Sequence, residues 1–362
     1  VEVRPPNAVD VARAAGVSLG TVSNVLNNPS KVTPATRRKV EAAIASLGFV
    51  RNGAARSLAA GTSRTLGFVV ADLTNTFFLD LVRGAEEVTQ EADLNILLAN
   101  CDSREDKQRA YLELFEEERV AGILLAPRQD LLEQVAPLRA RGVRVVVLNA
   151  DPPGDACSVQ TDNVRGGFLA TQHLIDGGCQ RLMFAGALRF PAVVDRLEGA
   201  KKAVAATGGA VTLEVVTTDG VTANDGHRVA GIVDERGDRE RPDGIIAGAD
   251  LLALGVVQST VVRGRLRVPE DLAVIGYDNN REAWSSLVPL TTMDQAGEEM
   301  GREAATMILE ELRTPGEHTH RRVVMEPLLV PKSSTRTTGD ALRPHVAAGA
   351  AASAGPTPTP TT

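Results

Sequence analysis

Several apolar runs in this 362-residue chain end on a short polar side chain. "TLGFVVAD" stops at Asp72, "LNILLAN" at Asn100, "VRVVVLN" at Asn149 and "LAVIGYD" at Asp278, and Asp162 and Asp250 stand in similar places. Phe77 and Phe78 follow shortly after the first run. Side chains with two acceptors, or one donor and one acceptor, suit vicinal hydroxyls, and an aromatic ring suits the apolar face of a sugar. Plainer uses stand beside this one. Asp162, with Asn163, and Asp250 directly precede expected helices and can cap them, and either Phe can belong to a core. Catalysis finds no such foothold. The chain has no GxGxxG after a strand, no P-loop, no HExxH and no GxSxG, and His173, His227, His318, His320 and His345 show no ligand or triad spacing. Cys101, Cys157 and Cys179 are odd in number and far apart, with no CxxC and no histidine cluster nearby. Buried free thiols are expected of them, with neither a disulfide framework nor a zinc site, and no cofactor is expected.

Elements must carry these residues. The runs above, with "AGILLAP", "RLMFAGA" and "DGIIAGA", alternate with amphipathic segments of helical length. Continuous rather than alternating hydrophobicity means parallel strands buried on both faces, and the rhythm is βαβ. Seven such units exceed one comfortable sheet, so two doubly wound subdomains are expected, with ligands at the carboxyl ends of the strands.

The first 64 residues differ in kind. They hold nine Lys or Arg against three acidic residues, a net +6, which leaves −13 for the remainder of a chain whose total is −7. A basic head on an acidic body suits a nucleic-acid contact module joined to a separate domain. In "NAVDVARAAGVSLGTVSNVLNN", Asn7 can cap a first helix with Asp10 at the capping-box position, and Val9, Ala12 and Ala15 can share its inner face. Gly16 supplies a turn, and Ser18 caps a second helix in which Val22, Val25 and Leu26 face inward while Leu19, Gly20, Ser23 and Asn24 face out. This is a helix-turn-helix pattern. Thr33, Pro34 and Gly48 bound a third helix with Val40, Ile44 and Leu47 on one stripe. Residues 52 to 60 can form a further helix too short to stand alone in water, capped by Asn52, in which Leu58 is the only large apolar side chain.

Residues 8 to 61 resemble the DNA-binding head and hinge of the LacI/GalR family of bacterial transcription regulators. The resemblance continues through "IIAGADLLALGVV" and "GYDNNREAWSSLVPLTTMDQ". It implies an N-terminal all-α helix-turn-helix head followed by an α/β periplasmic-binding-protein-like body of two doubly wound parallel-sheet subdomains. It further implies that Leu19, Gly20 and Asn24 face base edges, that Thr21 and Ser23 touch phosphate, and that Leu58 is a hinge wedge with Arg56 beside it for the backbone. Ser18, Asn27 and Asn52 complete the expected DNA face. Leu19 can touch only a thymine methyl and Gly20 offers no side chain, which leaves Asn24 to make a bidentate adenine contact. Sequence choice then leans on the wedge and on DNA deformability. In the body, Arg196 in "DRLEGAKKA" and Asp278 match effector-binding positions of the family. Arg196 is read as opening a helix, where a cation opposes the dipole and wants an anionic or hydroxyl-rich partner. Ala249 departs from the family's usual Asn in its "NDxxALG" motif, so an uncommon effector is expected. Trp284, the only tryptophan, either roofs the pocket or is buried.

The expected organisation is a head at 1–50, a hinge and linker at 51–64, a body at 65–336 and a disordered tail at 337–362. Within the body, one lobe takes 65–162 with 293–320 and the other 163–292 with 321–335. The expected function is a ligand-controlled regulator, a repressor acting as a homodimer on a palindromic double-stranded operator under a sugar-like effector. A nucleoside- or purine-responsive regulator and a solute-binding receptor without a DNA role are the alternatives. The tail shows no apolar heptad, which favours a dimer. The first residues lack a signal-peptide layout and no apolar run reaches membrane-spanning length, so a cytoplasmic, nucleoid-associated protein without a membrane partner is expected.

Overall fold

The computed structural model describes residues 4–50, 63–127, 133–152 and 154–336. The expected hinge residues Asn52, Arg56 and Leu58, and the expected tail at 337–362, lie outside the described residues. The chain divides into two compact units, one of residues 1–64 with Glu117–Ala121 and the other of the remainder.

The head contains α1 (Ala8–Ala15), α2 (Leu19–Asn27) and α3 (Pro34–Leu47), with a single 3-10 turn at Pro29–Lys31. Their ends are written in local chemistry. The Asn7 side chain accepts from the Asp10 backbone N–H while the Asp10 carboxylate accepts from the Asn7 N–H, so a full capping box starts α1. Ser18 Oγ accepts from the Thr21 N–H at 3.1 Å and Thr33 caps α3 ahead of Pro34. Gly16 and Gly48 end α1 and α3 in the left-handed region, at φ 65° and 61°, where a Cβ is unwelcome. Val11, Ala12, Val22, Val25, Val40 and Ala43 form the core. Val9, expected inside, is half exposed. It lies two residues and so about 200° around the helix from buried Val11, and the inward stripe is Val11, Ala12 and Ala15.

The body begins with β1 (Thr65–Val70), α4 (Thr76–Glu91), β2 (Asn95–Asn100), α5 (Glu105–Glu117), β3 (Gly122–Leu125), α6 (Val135–Ala140), β4 (Val145–Leu148) and β5 (Cys157–Thr161). It crosses into α7 (Asn163–Asp176), β6 (Arg181–Gly186), α8 (Pro191–Ala205), β7 (Thr212–Thr217), α9 (Ala223–Asp234), β8 (Gly244–Ala247), α10 (Asp250–Arg263), β9 (Ala273–Ile275) and the short α11 (Arg281–Ser285). After β10 (Thr292–Asp294) it returns through α12 (Gly297–Arg313) and β11 (Arg322–Met325), then ends the described chain with β12 (Leu328–Val330). The first sheet has the order β11-β5-β4-β3-β1-β2 and the second β7-β6-β8-β9, with every pairing parallel. β10 and β12 pair antiparallel. The seven expected strands are all present, and β1, β3, β4, β6, β8 and β9 are buried nearly throughout, as strands covered on both faces must be.

One expected boundary is corrected. The second lobe was to resume at residue 321, but β11 lies beside β5, with Arg322 opposite Ser158 and Met325 opposite Thr161. The chain therefore stays with the first sheet through Met325. The cause is edge pairing, since β11 satisfies the outer hydrogen bonds of β5 that would otherwise stay open.

Helices pack in pairs whose backbones nearly touch, and each pair has a glycine on both members. A Cβ on Gly84 of α4 would lie 1.9 Å from the Glu298 carbonyl oxygen, and one on Gly301 of α12 would lie 2.0 Å from that of Leu81. Gly167 of α7 faces the Arg196 carbonyl at 1.9 Å and Gly199 of α8 faces that of Val164 at 2.0 Å; Gly226 and Gly255 do the same for α9 and α10. Gly199→Ala should therefore destabilise the body by about 3 kcal/mol, the upper end for overpacking because backbone rather than side chain must yield. Gly237→Ala, which meets nothing within 4 Å, should be close to neutral. Urea midpoints of the two variants check this, and equal midpoints would contradict the close-approach account.

Candidate functional site

In the head, Ser18, Leu19, Gly20, Ser23, Asn24 and Asn27 are exposed along one side of α2, and Thr21 is half-buried. Capping engages Ser18 and Thr21, whose hydroxyls lie 2.9 Å apart, while Asn27 Nδ2 donates to Ser23 Oγ at 3.2 Å. Leu19 is an exposed apolar side chain at the first position of the helix.

In the body, a cavity of about 150 Å³ opens between the two sheets at the carboxyl ends of their strands. Its floor is Arg196, on the second turn of α8 and only 5% exposed. Arg196 Nε donates to Asn163 Oδ1 at 2.8 Å, Nη1 to the Gly248 carbonyl at 2.7 Å and Nη2 to Gln295 Oε1 at 3.2 Å. Its guanidinium lies 3.6 Å from the Tyr277 ring centroid, and Nη1 is 3.8 Å from Asp278 Oδ1. Asp278 in turn accepts from Asn75 Nδ2 at 2.8 Å and from Gln295 Nε2 at 2.6 Å. Asn75 precedes α4 beside the first sheet and Gln295 lies on the crossover after β10, so one carboxylate is held from both lobes. The reading that Arg196 opens its helix is corrected, since Pro191 does so and Arg196 finds its partners within the protein.

Of the expected residues, the structure brings Asp72, Phe77, Phe78, Asn149, Arg196 and Asp278 to this cavity. Asn149 Oδ1 is buried without a hydrogen-bond partner, and its backbone sits at φ 56°. Asp278 sits at φ 121°, a region that favours glycine and that persists where the surroundings dictate it. Phe77 is both core and lining: it is 2% exposed and meets Phe78 edge-on, with centroids 5.4 Å apart.

The others lie elsewhere. Asp162 caps α7 by accepting from the Arg165 N–H at 2.8 Å. Asp250 is fully buried, accepting from the Asn280 N–H at 2.7 Å and from Thr292 Oγ1 at 2.6 Å, which ties α10 to the loop after β9 and to β10. It does not cap its helix, because Ala249 holds the cap position. Asn100 donates to Asp102. Trp284 neither roofs the cavity nor is buried. It is 59% exposed on α11, where its indole donates to Asn279 Oδ1 at 2.7 Å and Lys332 Nζ lies 4.2 Å from its ring. Sequence reasoning missed Asn75, Asn163, Tyr277 and Gln295. Tyr277 and Gln295 fall inside the quoted "GYDNNREAWSSLVPLTTMDQ", so a signal was present. All three cysteines are buried free thiols, as expected, but the absence of a nearby histidine cluster is corrected, because folding brings His318 Nε2 within 3.1 Å and His320 Nδ1 within 3.6 Å of Cys157 Sγ.

Burial dominates the electrostatics of this floor. It raises the Asp278 carboxyl above the usual range, against the pull of Arg196, Asn75 and Gln295. It raises Asp250 as well, with the Asp278 charge adding to the effect. A folded-state pKa above the unfolded value means that the proton stabilises the fold, fully below the unfolded pKa near 3.8 and progressively less as pH rises toward neutrality. Relative to Asp278→Asn, the wild-type body should therefore gain stability between pH 7.5 and pH 5, by at most about 1.4 kcal/mol per pH unit. Urea titrations of both proteins at the two pH values check this, and a difference independent of pH would refute it.

Comparison with known proteins places these features. Residues 9–52 match the family of bacterial regulatory proteins called lacI, and residues 171–335 match a periplasmic binding protein-like domain. An HTH-type transcriptional repressor PurR from Photobacterium profundum is 33% identical over 332 residues, 90% of this chain and 98% of that one. The solved complex of the transcriptional regulator CelR with cellobiose is 30% identical, with TM-score 0.66, covering 91% of this chain and 99% of that one. The Lac repressor dimer bound to operator and the anti-inducer ONPF is 25% identical, with TM-score 0.77, covering 92% and 100%. A relative one-third identical along nearly its whole length, with the head and body domains in the expected order, shows that this chain belongs to the LacI family, as a ligand-responsive transcription regulator and not an enzyme.

Proposed function

We propose that this regulator is a repressor that binds a palindromic operator as a homodimer, and that a sugar or sugar derivative seated between its lobes sets the affinity. The observation that carries this reading is the Asp278 carboxylate, bonded to Asn75 of one lobe and to Gln295 at the crossover. A ligand competing for these groups has a direct hold on the angle between the lobes, and a ligand shifts an equilibrium only through such differential contacts. Asp72, Asn149 with its unpartnered Oδ1, and the rings of Phe77 and Phe78 supply acceptors and apolar faces suited to a polyol. The cellobiose bound by CelR and the operator-bound dimer of the Lac repressor support the two halves of the proposal.

On the DNA side, the exposed residues of α2 enter the major groove. Asn24 is the residue able to read adenine, and Leu19 touches a thymine methyl. Hinge residues Asn52, Arg56 and Leu58 meet the minor groove at the operator centre, with Leu58 as wedge. Coupling of about 1 to 3 kcal/mol between cleft and head would change operator affinity roughly 5- to 150-fold.

In vitro selection of random duplex DNA by the purified full-length protein tests this reading, and an enriched palindrome is expected. With that duplex as probe, log affinity should fall steeply with log salt, and a flat line would contradict a phosphate-driven head. Leu58→Ala should lose operator affinity while weak random-DNA binding remains, and equal loss on both would remove the wedge. Asp278→Asn should keep operator binding and lose the response in a panel of pentoses, hexoses and disaccharides. Response to purine bases or nucleosides alone would replace the sugar with the alternative effector class.

A further inference from the structure

The first lobe carries a cluster unrelated to the cavity. Cys157 opens β5, and His318 and His320 lie on the segment between α12 and β11, so strand pairing brings together residues some 160 positions apart. The buried Cys157 Sγ lies 3.1 Å from His318 Nε2 and 3.6 Å from His320 Nδ1, and one ligand atom from each residue falls within 4.8 Å of the others. Zinc takes sulfur at about 2.3 Å and nitrogen at about 2.0 to 2.1 Å, which at a tetrahedral angle sets sulfur and nitrogen roughly 3.5 Å apart. We infer that Cys157, His318 and His320 form a three-ligand site for a thiophilic divalent ion, zinc above all, with a fourth position left for water.

The surroundings complete the site. If His318 binds through Nε2, its Nδ1 faces Glu310 Oε2 at 3.9 Å, beyond hydrogen-bond reach; that oxygen accepts from Arg321 Nη1 at 2.6 Å, and a small approach would let it orient a metal-bound histidine. His320 Nε2 accepts from Arg139 Nη2 at 2.5 Å. An ion on Nδ1 places the ring proton on Nε2 and ends that bond. The released guanidinium has somewhere to go, because Arg139 Nη1 is 3.6 Å from Glu311 Oε1, and both Nη1 and Glu311 Oε2 are buried without a hydrogen-bond partner. Loading therefore gives up an Arg–His contact and lets the existing Arg139–Glu311 pair tighten.

Cobalt(II) titration of the chelator-stripped, reduced, full-length protein tests the site. One cobalt per chain is expected, with a thiolate-to-metal charge-transfer band and tetrahedral visible bands, displaced by zinc. Cys101→Ser and Cys179→Ser should keep the band. Cys157→Ser should lose it, and His318→Ala and His320→Gln should weaken cobalt binding at least tenfold. Zinc should raise the thermal midpoint of the wild type and leave that of His320→Gln unmoved. A wild type without the thiolate band overturns the proposal, as does a band that survives Cys157→Ser. Should Cys157→Ser fail to fold, the histidine variants decide, and wild-type affinity in both of them overturns the site.

Discussion

A buried arginine holds the body together at the place where its chain crosses between lobes. The guanidinium of Arg196 is 5% exposed, and taking such a charge out of water costs several kcal/mol unless every neighbour is arranged for it. The neighbours come from four separate stretches. Asn163 follows the first crossover, Gly248 follows β8, Tyr277 and Asp278 follow β9, and Gln295 lies on the second crossover. The helix pairing obeys the same requirement. Gly167 lets α7 approach the backbone of Arg196 itself, and a Cβ on Gly166 would strike the Tyr277 hydroxyl at 2.0 Å. Close helix contact and the cation–π stack are thus one constraint.

Satisfied within the protein, Arg196 is less available to a ligand than an exposed arginine would be, and this shapes how the cavity can work. The polar atoms left open are elsewhere, at Asn149 and at Asp72, whose carboxylate accepts, among the described residues, only from Thr74. Under the proposed function, Arg196 and Asp278 set the floor and transmit, while the upper groups select. Transmission has a second strand beside the first. Thr76 Oγ1 and the Phe77 N–H both bond to Asn280 Oδ1, at 2.7 and 3.2 Å, and Arg281 meets Asp80 at 3.3 Å. The N-terminus of α4 in one lobe is therefore fastened to the 278–281 loop of the other, and a change in lobe angle must break or re-form these bonds together. Discrete bonds of this kind make two arrangements rather than a continuum.

Elements with a strong local signature were legible in the sequence and those fixed by tertiary partners were not. Six of the seven apolar runs announced strands buried on both faces, where burial demands unbroken hydrophobicity; the seventh, β2, is an edge strand with Leu97 and Leu98 exposed. β7, which no run announced, is likewise an edge strand with several exposed residues, and β11 owes its place to the free edge of β5. Caps at Asn7, Ser18 and Thr33 were readable because their bonds span three residues. The Arg196 network was not, since its side-chain partners lie 33 to 99 residues away in sequence. Trp284 illustrates the same limit from the other side. Its composition argued for burial, but it sits on a five-residue helix and finds instead a cation and an amide at the surface.

α12 links the two chemically distinctive regions of the first lobe. It begins directly after Gln295 and Ala296 at the cavity, and its last turns carry Glu310 and Glu311 beside His318 and Arg139. Seventeen residues at about 1.5 Å each make a rod of roughly 25 Å, pinned to α4 where Gly84 and Gly301 let the backbones meet. A helix so held moves as a unit or not at all. Under the proposals above, a ligand that repositions Gln295 would act on the far end of α12, and an ion at the Cys157–His318–His320 cluster would act back on the cavity. If the cavity takes an effector and the cluster an ion, linkage makes the two effects equal in free energy.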